Sequence, residues 1–262
     1  MATPKPVIIA GGGPVGLIVA LILGRAGVKA TLFDSGSIVY SHPRAATIHA
    51  ATLDILDDLG VYERIEPQGV ICPVVNYYDG RELLASFDYG LIKGETRHPW
   101  VLQCEQDKLS RTVYAMVQQQ PSVEVRTATP VIGCSQSADH VDVVVQPPGG
   151  AEERHRAAYL VAADGARSTV RKEIGVEFEG FTYPEKFMII GTPYDFSDDG
   201  YAYRNYISDP DEWYNLFKIS WTGPPGVFRL VAPVRPDEPA EGEAGRATAQ
   251  RKLQRFNPRH EP

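Results

Sequence analysis

Gly11-Gly12-Gly13-Pro14 interrupts a stretch that carries no charge from Val7 to Gly24. At 18 residues that stretch has the hydropathy of a signal peptide or a short membrane span. The glycines and the proline speak against both readings. They cut the stretch into an apolar run, a turn and a helix. Pro6 to Ala10 is short, apolar and β-branched, as a buried parallel strand requires. Leu17 to Ala26 is a continuous helix former, and Gly27 stands where a left-handed residue would close it. Val28 to Phe33 reads as a second strand that ends in Asp34.

The turn itself, Gly11-Gly12-Gly13-Pro14-Val15-Gly16, fits the pattern G-x-G-x-x-G. Each position has a physical task. Gly11 permits the tight turn, and Gly13 removes a side chain where a pyrophosphate must approach the backbone. Gly16 and Ala20 let helix and strand pack closely. The start of the helix offers free N–H groups and the positive end of its dipole to phosphates. Asp34, 18 residues beyond Gly16, is placed to accept hydrogen bonds from ribose hydroxyls. The pattern predicts a dinucleotide site and does not separate FAD from NAD.

Composition narrows the class. A net charge of -7 over 262 residues argues against a general nucleic-acid binder. The three cysteines, Cys72, Cys104 and Cys134, are far apart and odd in number, which excludes a disulfide framework and fits a reducing compartment. No HExxH or HxH spacing and no Gly-x-Ser-x-Gly elbow occurs, so hydrolase and metalloprotease readings lack support.

Two further segments carry pattern. Residues 43–60 run from Pro43-Arg44-Ala45 into an amphipathic helix closed by Gly60. Arg44 follows Asp34 by ten residues, and an arginine suits a bidentate phosphate clamp. Residues 158–171 read as a buried strand, Tyr159 to Ala163, then an Asp164-Gly165 turn, then a short helix capped by Ser168.

Together these residues resemble the class A flavoprotein monooxygenases, the group of para-hydroxybenzoate hydroxylase and phenol hydroxylase. Gly11, Gly13, Gly16 and Asp34 match that family's first fingerprint, and Asp164, Gly165, Arg167, Ser168 and Arg171 match its second. Pro43-Arg44-Ala45 matches its flavin-contacting loop, and Gln106 stands for its glutamine beside the flavin ribityl chain. The resemblance spans roughly residues 6–234. A third fingerprint, a late Gly-Asp segment, is not found, and an incomplete flavin site is the expectation. The resemblance implies FAD as cofactor, held by Gly11, Gly13, Pro14, Val15, Gly16, Asp34, Arg44, Gln106, Asp164 and Gly165. It also implies NADPH or NADH as co-substrate, with O2 and a small aromatic substrate. No metal and no catalytic side chain is nominated.

The second half changes character. Between Phe181 and Phe228 lie 13 of the 25 aromatics, in or beside strand-like runs, so this region is where a planar apolar substrate would find a surface. Tyr201, Tyr203, Tyr206, Trp213 and Tyr214 are candidates for its inner face. Residues 235–262 lose apolar content and read as a linker or tail with a short, unpacked helix around Ala247 to Phe256.

The expected fold is α/β. A Rossmann-like parallel-sheet FAD-binding domain (1–72 and 100–182) is interleaved with a smaller, mostly antiparallel β-sheet substrate domain (73–99 and 183–234). The implied activity is FAD-dependent, NAD(P)H- and O2-using monooxygenation of an aromatic or similar small molecule. The setting would be cytoplasmic, without nucleic acid or membrane, and with a homo-oligomer or a missing C-terminal portion as partner. Three other readings stay open at this level: an NAD-dependent dehydrogenase, a non-catalytic fragment or one piece of a split flavoenzyme, and a flavin reductase or halogenase of related fold.

Overall fold

The structure is a computed structural model that describes residues 6–38, 44–223 and 225–258. The chain forms two compact units, one of Met1–Arg44 and Gln106–Gly180, the other of Ala45–Glu105 and Phe181–Pro262.

The first unit is built on a four-stranded parallel sheet in the order Tyr159–Ala162, Val7–Ala10, Ala30–Phe33, Val123–Arg126. Val7–Ala10 is central and buried at every position, which is why its sequence shows no alternation. The helix Pro14–Arg25 returns the chain from Val7–Ala10 to Ala30–Phe33, with Pro14 in its first turn, where no N–H is needed. Leu17, Ala20 and Leu21 are its fully buried positions. Gly24 belongs to the same face: a Cβ there would press on Gln120 and Val123. Gln106–Val117 is the second long helix of the unit, with Leu109, Val113, Met116 and Val117 buried. A three-stranded antiparallel sheet, Val131–Gln136, Val141–Val145 and Glu153–Ala157, adds Val143, Val145 and Ala157 to a core shared with Ile8 and Phe33.

Strand Glu153–Ala157 escaped the sequence reading because Glu-Arg-His-Arg-Ala looks solvated. Its charges are matched in the fold. Arg126 donates to both oxygens of Glu153, at 2.7 and 3.1 Å, and the His155 ring lies 5.1 Å from that of Phe33.

The second unit is built on a six-stranded sheet in the order Lys186–Thr192, Val227–Val234, Tyr214–Ile219, Arg204–Ser208, Val74–Asp79, Glu82–Asp88. Four of its five pairings are antiparallel, and only Arg204–Ser208 with Val74–Asp79 is parallel. Asp79-Gly80 makes the expected hairpin turn, with Gly80 at φ 55°. A small sheet of Thr47–Ile48, Val101–Gln103 and Val70–Cys72 completes the strands. One face of the large sheet packs Tyr78, Ile207, Tyr214, Leu216, Phe228 and Leu230 into a core with Phe196.

Two expectations differ from this. Residues 45–72 and 100–105, expected in the parallel-sheet domain, fall in the second unit, where Thr47–Ile48 and Val70–Cys72 pair with Val101–Gln103. The C-terminal helix is longer than expected, Gly242–Phe256, and it is packed. Leu253 is buried in the core, and the Phe256 ring meets those of Phe196, Tyr201 and Tyr214 at 5.1–5.5 Å. Lys252, which reads as a solvated charge, is buried between Glu212 and Glu238. Too few apolar residues mark the helix for periodicity to reveal its buried face.

Candidate cofactor site

The glycine turn is shaped by close backbone approach. Gly11 has φ 102°, and a Cβ there would overlap the carbonyl of Ala163, the residue that follows the neighbouring strand. A Cβ on Gly16 would overlap the carbonyl of Gly11. Both positions therefore need glycine for packing. Gly13 differs. It sits just before the helix with φ -70°, which any residue adopts, and a Cβ on it would meet nothing within 4 Å. The side chain absent from Gly13 leaves open space at the helix start. The first turn carries no acidic residue to compete for an anion there.

Asp34, at the end of strand Ala30–Phe33, is 6% exposed. Its Oδ2 accepts from the Gly12 N–H at 2.6 Å and its Oδ1 from the Gly36 N–H at 2.8 Å. The carboxylate thus ties the glycine turn to the loop that follows its own strand. A carboxylate offers roughly four acceptor sites, so two backbone bonds do not by themselves exhaust it.

Asp164 has a comparable local task. Its Oδ1 accepts from the Ser168 hydroxyl at 2.6 Å, and its Oδ2 from the N–H groups of Thr169 and Val170 at 2.8 and 3.2 Å. Ser168 in turn accepts from the Arg171 N–H at 2.9 Å. The helix Thr169–Glu173 is therefore capped by two side chains. The sequence pointed to Ser168 alone. Gly165, at φ 76°, makes the turn between strand and cap.

These segments converge. Gly11, Gly13, Asp34, Arg44, Asp164 and Gly165 line one cleft of about 680 Å³. Gly13, Pro14, Arg44 and Gln106 line a small recess of about 20 Å³ that shares Gly13 and Arg44 with it. Val15, 65% exposed, and the buried Gly16 line neither. Pro43 lies outside the described residues. Ala163, Ser35 and Ile38 join the lining without having been nominated. Nothing in their residue type marks them, since only the pairing of Tyr159–Ala162 with Val7–Ala10 brings Ala163 beside Gly11. A second cavity of about 670 Å³, lined by Cys134, His140, Leu160 and Ile174 among others, contains no residue of either glycine motif.

Residues 5–257 match the FAD binding domain family. Para-nitrophenol 4-monooxygenase of Pseudomonas sp. (strain WBC-3) is 36% identical over 224 residues, covering 85% of this chain and 55% of that protein. The 6-hydroxy-3-succinoylpyridine 3-monooxygenase of Pseudomonas putida is 32% identical over 251 residues, 94% of this chain and 62% of that protein. The crystal structure of p-nitrophenol 4-monooxygenase from Pseudomonas putida superimposes with a TM-score of 0.83 at 34% identity, covering 98% of this chain and 62% of that one. The chain thus spans 55–62% of the length of these relatives.

Proposed function

This chain belongs to the FAD binding domain family, and from that membership we propose that it binds FAD along the cleft of the parallel-sheet unit and serves aromatic monooxygenation. The observation that carries the reading is the convergence of Gly11–Gly13 with Asp164–Gly165, far apart in sequence, on one cleft. The open space at Gly13 suits a diphosphate at the helix start, and Arg44 supplies a cation beside it. Asp34 would hold a ribose, Gln106 and Pro14 the recess next to the diphosphate, and the backbone of Asp164–Gly165 the opposite wall.

FAD, when bound, supplies the redox and oxygen chemistry of such a reaction. The chain's own residues bind, orient and exclude water. NADPH or NADH is the proposed reductant, in a cytoplasmic setting. Among the described residues, no helix is long and apolar enough to cross a membrane. The names of the two relatives share one chemical feature: each places oxygen on a substituted ring carbon para to a hydroxyl group. We therefore propose a hydroxylated six-membered aromatic ring as substrate, oxygenated para to its hydroxyl.

The test is titration of FAD into the chain by flavin fluorescence quenching. The wild-type chain should bind saturably, and Gly13→Val should abolish binding while leaving the far-ultraviolet circular dichroism unchanged. Equal affinity in the two proteins would overturn the placement of the diphosphate. NADPH oxidation that 4-nitrophenol fails to accelerate would overturn the proposed substrate.

A further inference from the structure

The strand Glu82–Asp88 ends the six-stranded sheet. Among the described residues it has a strand neighbour on one side only, Val74–Asp79. An open row of N–H and C=O groups recruits another strand, so monomers blunt such edges with charge, proline or a bulge. Here the interior of the strand, Leu83-Leu84-Ala85-Ser86-Phe87, carries neither charge nor proline. Its one irregularity is the register shift between Tyr77 and Tyr78, which leaves Leu84 as the extra residue. From Ala85 to Asp88 the register is regular.

The ladder decides which backbone groups point outward. The Tyr89 N–H donates to the Pro73 carbonyl at 2.9 Å. Along an antiparallel pair, residues that exchange hydrogen bonds alternate with residues that do not. Phe87 and Ala85 therefore bond inward, to Val75 and Tyr77, while Ser86 and Asp88 turn their N–H and C=O groups to the outside. The side chains around this edge are apolar and exposed. They are Leu83, Leu84 and Phe87 on the strand, and Leu91 and Ile92 in the turn Tyr89–Ile92 that follows it. Tyr77, also exposed, meets Phe87 edge-on at 5.7 Å. The accessible surface of these six comes to roughly 600–700 Å², close to the about 800 Å² that each partner brings to a standard interface.

We propose that the outer edge of Glu82–Asp88 is the contact surface for a second copy of this chain, the two strands pairing antiparallel about a two-fold axis at Ser86. Such an axis stands perpendicular to the sheet and sets residues of one face opposite each other, so Ser86, exposed and bonding outward, meets itself. Phe87 of each copy then lies opposite Ala85 of the other, a large ring against a small side chain. Asp88 lies opposite Leu84, and the outward groups of Ser86 and Asp88 find partners. Moving the axis to Ala85 would set Glu82 against Asp88, like charge against like. Moving it to Phe87 would run the pairing into the turn Tyr89–Ile92. The proposal uses no residue of the cofactor cleft and stands apart from the FAD reading.

Sedimentation equilibrium of the full chain tests the surface. Wild type should dimerise, to twice 28.8 kDa, with a Kd in the micromolar range. Two substitutions at one exposed position separate this register from general stickiness. Leu84→Asp faces Asp88 of the second copy and should raise the Kd by about tenfold or more. Leu84→Lys is as polar but faces that carboxylate with opposite charge, and should stay within about threefold of wild type. Ser86→Cys puts two thiols across a bonded pair, whose Cα spacing of about 5.5 Å a disulfide spans, so mild oxidation should link the copies. Phe87→Cys, opposite Ala85, should not link them. Cys72 and Cys104 are buried, and wild type oxidised in parallel controls for Cys134. All four substitutions are at exposed positions, and far-ultraviolet circular dichroism checks that the fold is kept. A wild-type chain that stays monomeric at about 1 mM would overturn the proposal. So would equal weakening by Leu84→Asp and Leu84→Lys, a dimer that Ser86→Cys does not link, or association beyond the dimer, which a closed two-fold contact forbids.

Discussion

The two units handle polar groups in opposite ways. In the parallel-sheet unit the important carboxylates are met by backbone: Asp34 by the N–H groups of Gly12 and Gly36, Asp164 by those of Thr169 and Val170. In the six-stranded unit buried charges are met by side chains, most of them distant in sequence. Lys218 pairs with Asp195 at 2.7 Å, Lys252 with Glu212 and Glu238, and Arg204 with two tyrosines. A backbone-made site is bound to its local motif and withstands change in neighbouring side chains. A side-chain-made site is set by tertiary packing, and a single substitution strands a charge.

That contrast yields an order of expected damage. The largest effect should come from Lys252→Met, which leaves Glu212 and Glu238 facing each other beneath the C-terminal helix. We expect a loss of about 3–5 kcal/mol in urea unfolding, the usual cost of breaking a buried pair from one side. Recovery of most of it in Lys252→Met with Glu212→Gln and Glu238→Gln would support the electrostatic cause. If the single variant unfolds like wild type, the six-stranded unit does not depend on its side-chain pairs.

Next comes Gly11→Ala. The left-handed backbone and the overlap with the Ala163 carbonyl should cost about 2–4 kcal/mol by the same measurement. Gly13→Ala is its control, since its Cβ meets nothing and its φ is ordinary, so its stability should stay within about 1 kcal/mol of wild type. Similar losses in the two variants would mean that the turn is not divided between a packing glycine and a ligand glycine.

Asp34→Asn should cost about 1–2 kcal/mol of stability, because the amide offers one acceptor oxygen where the carboxylate serves two N–H groups. It should also weaken FAD binding. Weakened flavin binding with unchanged stability would make the backbone ties incidental.

The smallest effect belongs to Glu153. Its hydrogen bond to Arg126, then that to His155, hold its carboxyl down to about 2 from the usual 4.5. A group depressed in the folded state contributes stability that is present above its unfolded value and lost as pH falls. The difference between wild type and Glu153→Gln should therefore be small and constant above pH 5 or so, and vanish between there and about pH 2. A difference that grows toward low pH would contradict the assignment.

The sequence was most legible where local geometry and function coincide. Gly11-x-Gly13-x-x-Gly16 between an apolar run and a helix leaves little freedom, and the strand, turn and helix lie within a few residues of their expected places. It was least legible where charges are met by partners far along the chain. Glu153–Ala157 and Lys252 look solvated in one dimension, and only Arg126, 27 residues from Glu153, and Glu212, 40 residues from Lys252, account for a strand at the one and a buried charge at the other. Among the aromatic candidates, Tyr214 is 3% exposed in the core, while Tyr206 lies on the opposite face beside Arg204. Composition could not separate them, because both are tyrosines at strand positions and the two faces differ only in what packs against them.

By itself the sequence determined the class of the fold, the dinucleotide character of the glycine turn and the places of its glycines, because φ, chain reversal and helix capping are local properties. Tertiary structure alone decided that Ala163 closes the turn over Gly11, that Asp164 caps a helix with Ser168, and that the guanidinium of Arg204 meets the hydroxyls of Tyr89 and Tyr206. Each of these depends on which strands become neighbours. Strand order is fixed by the burial of whole faces, a property of the assembled chain that no window of residues contains.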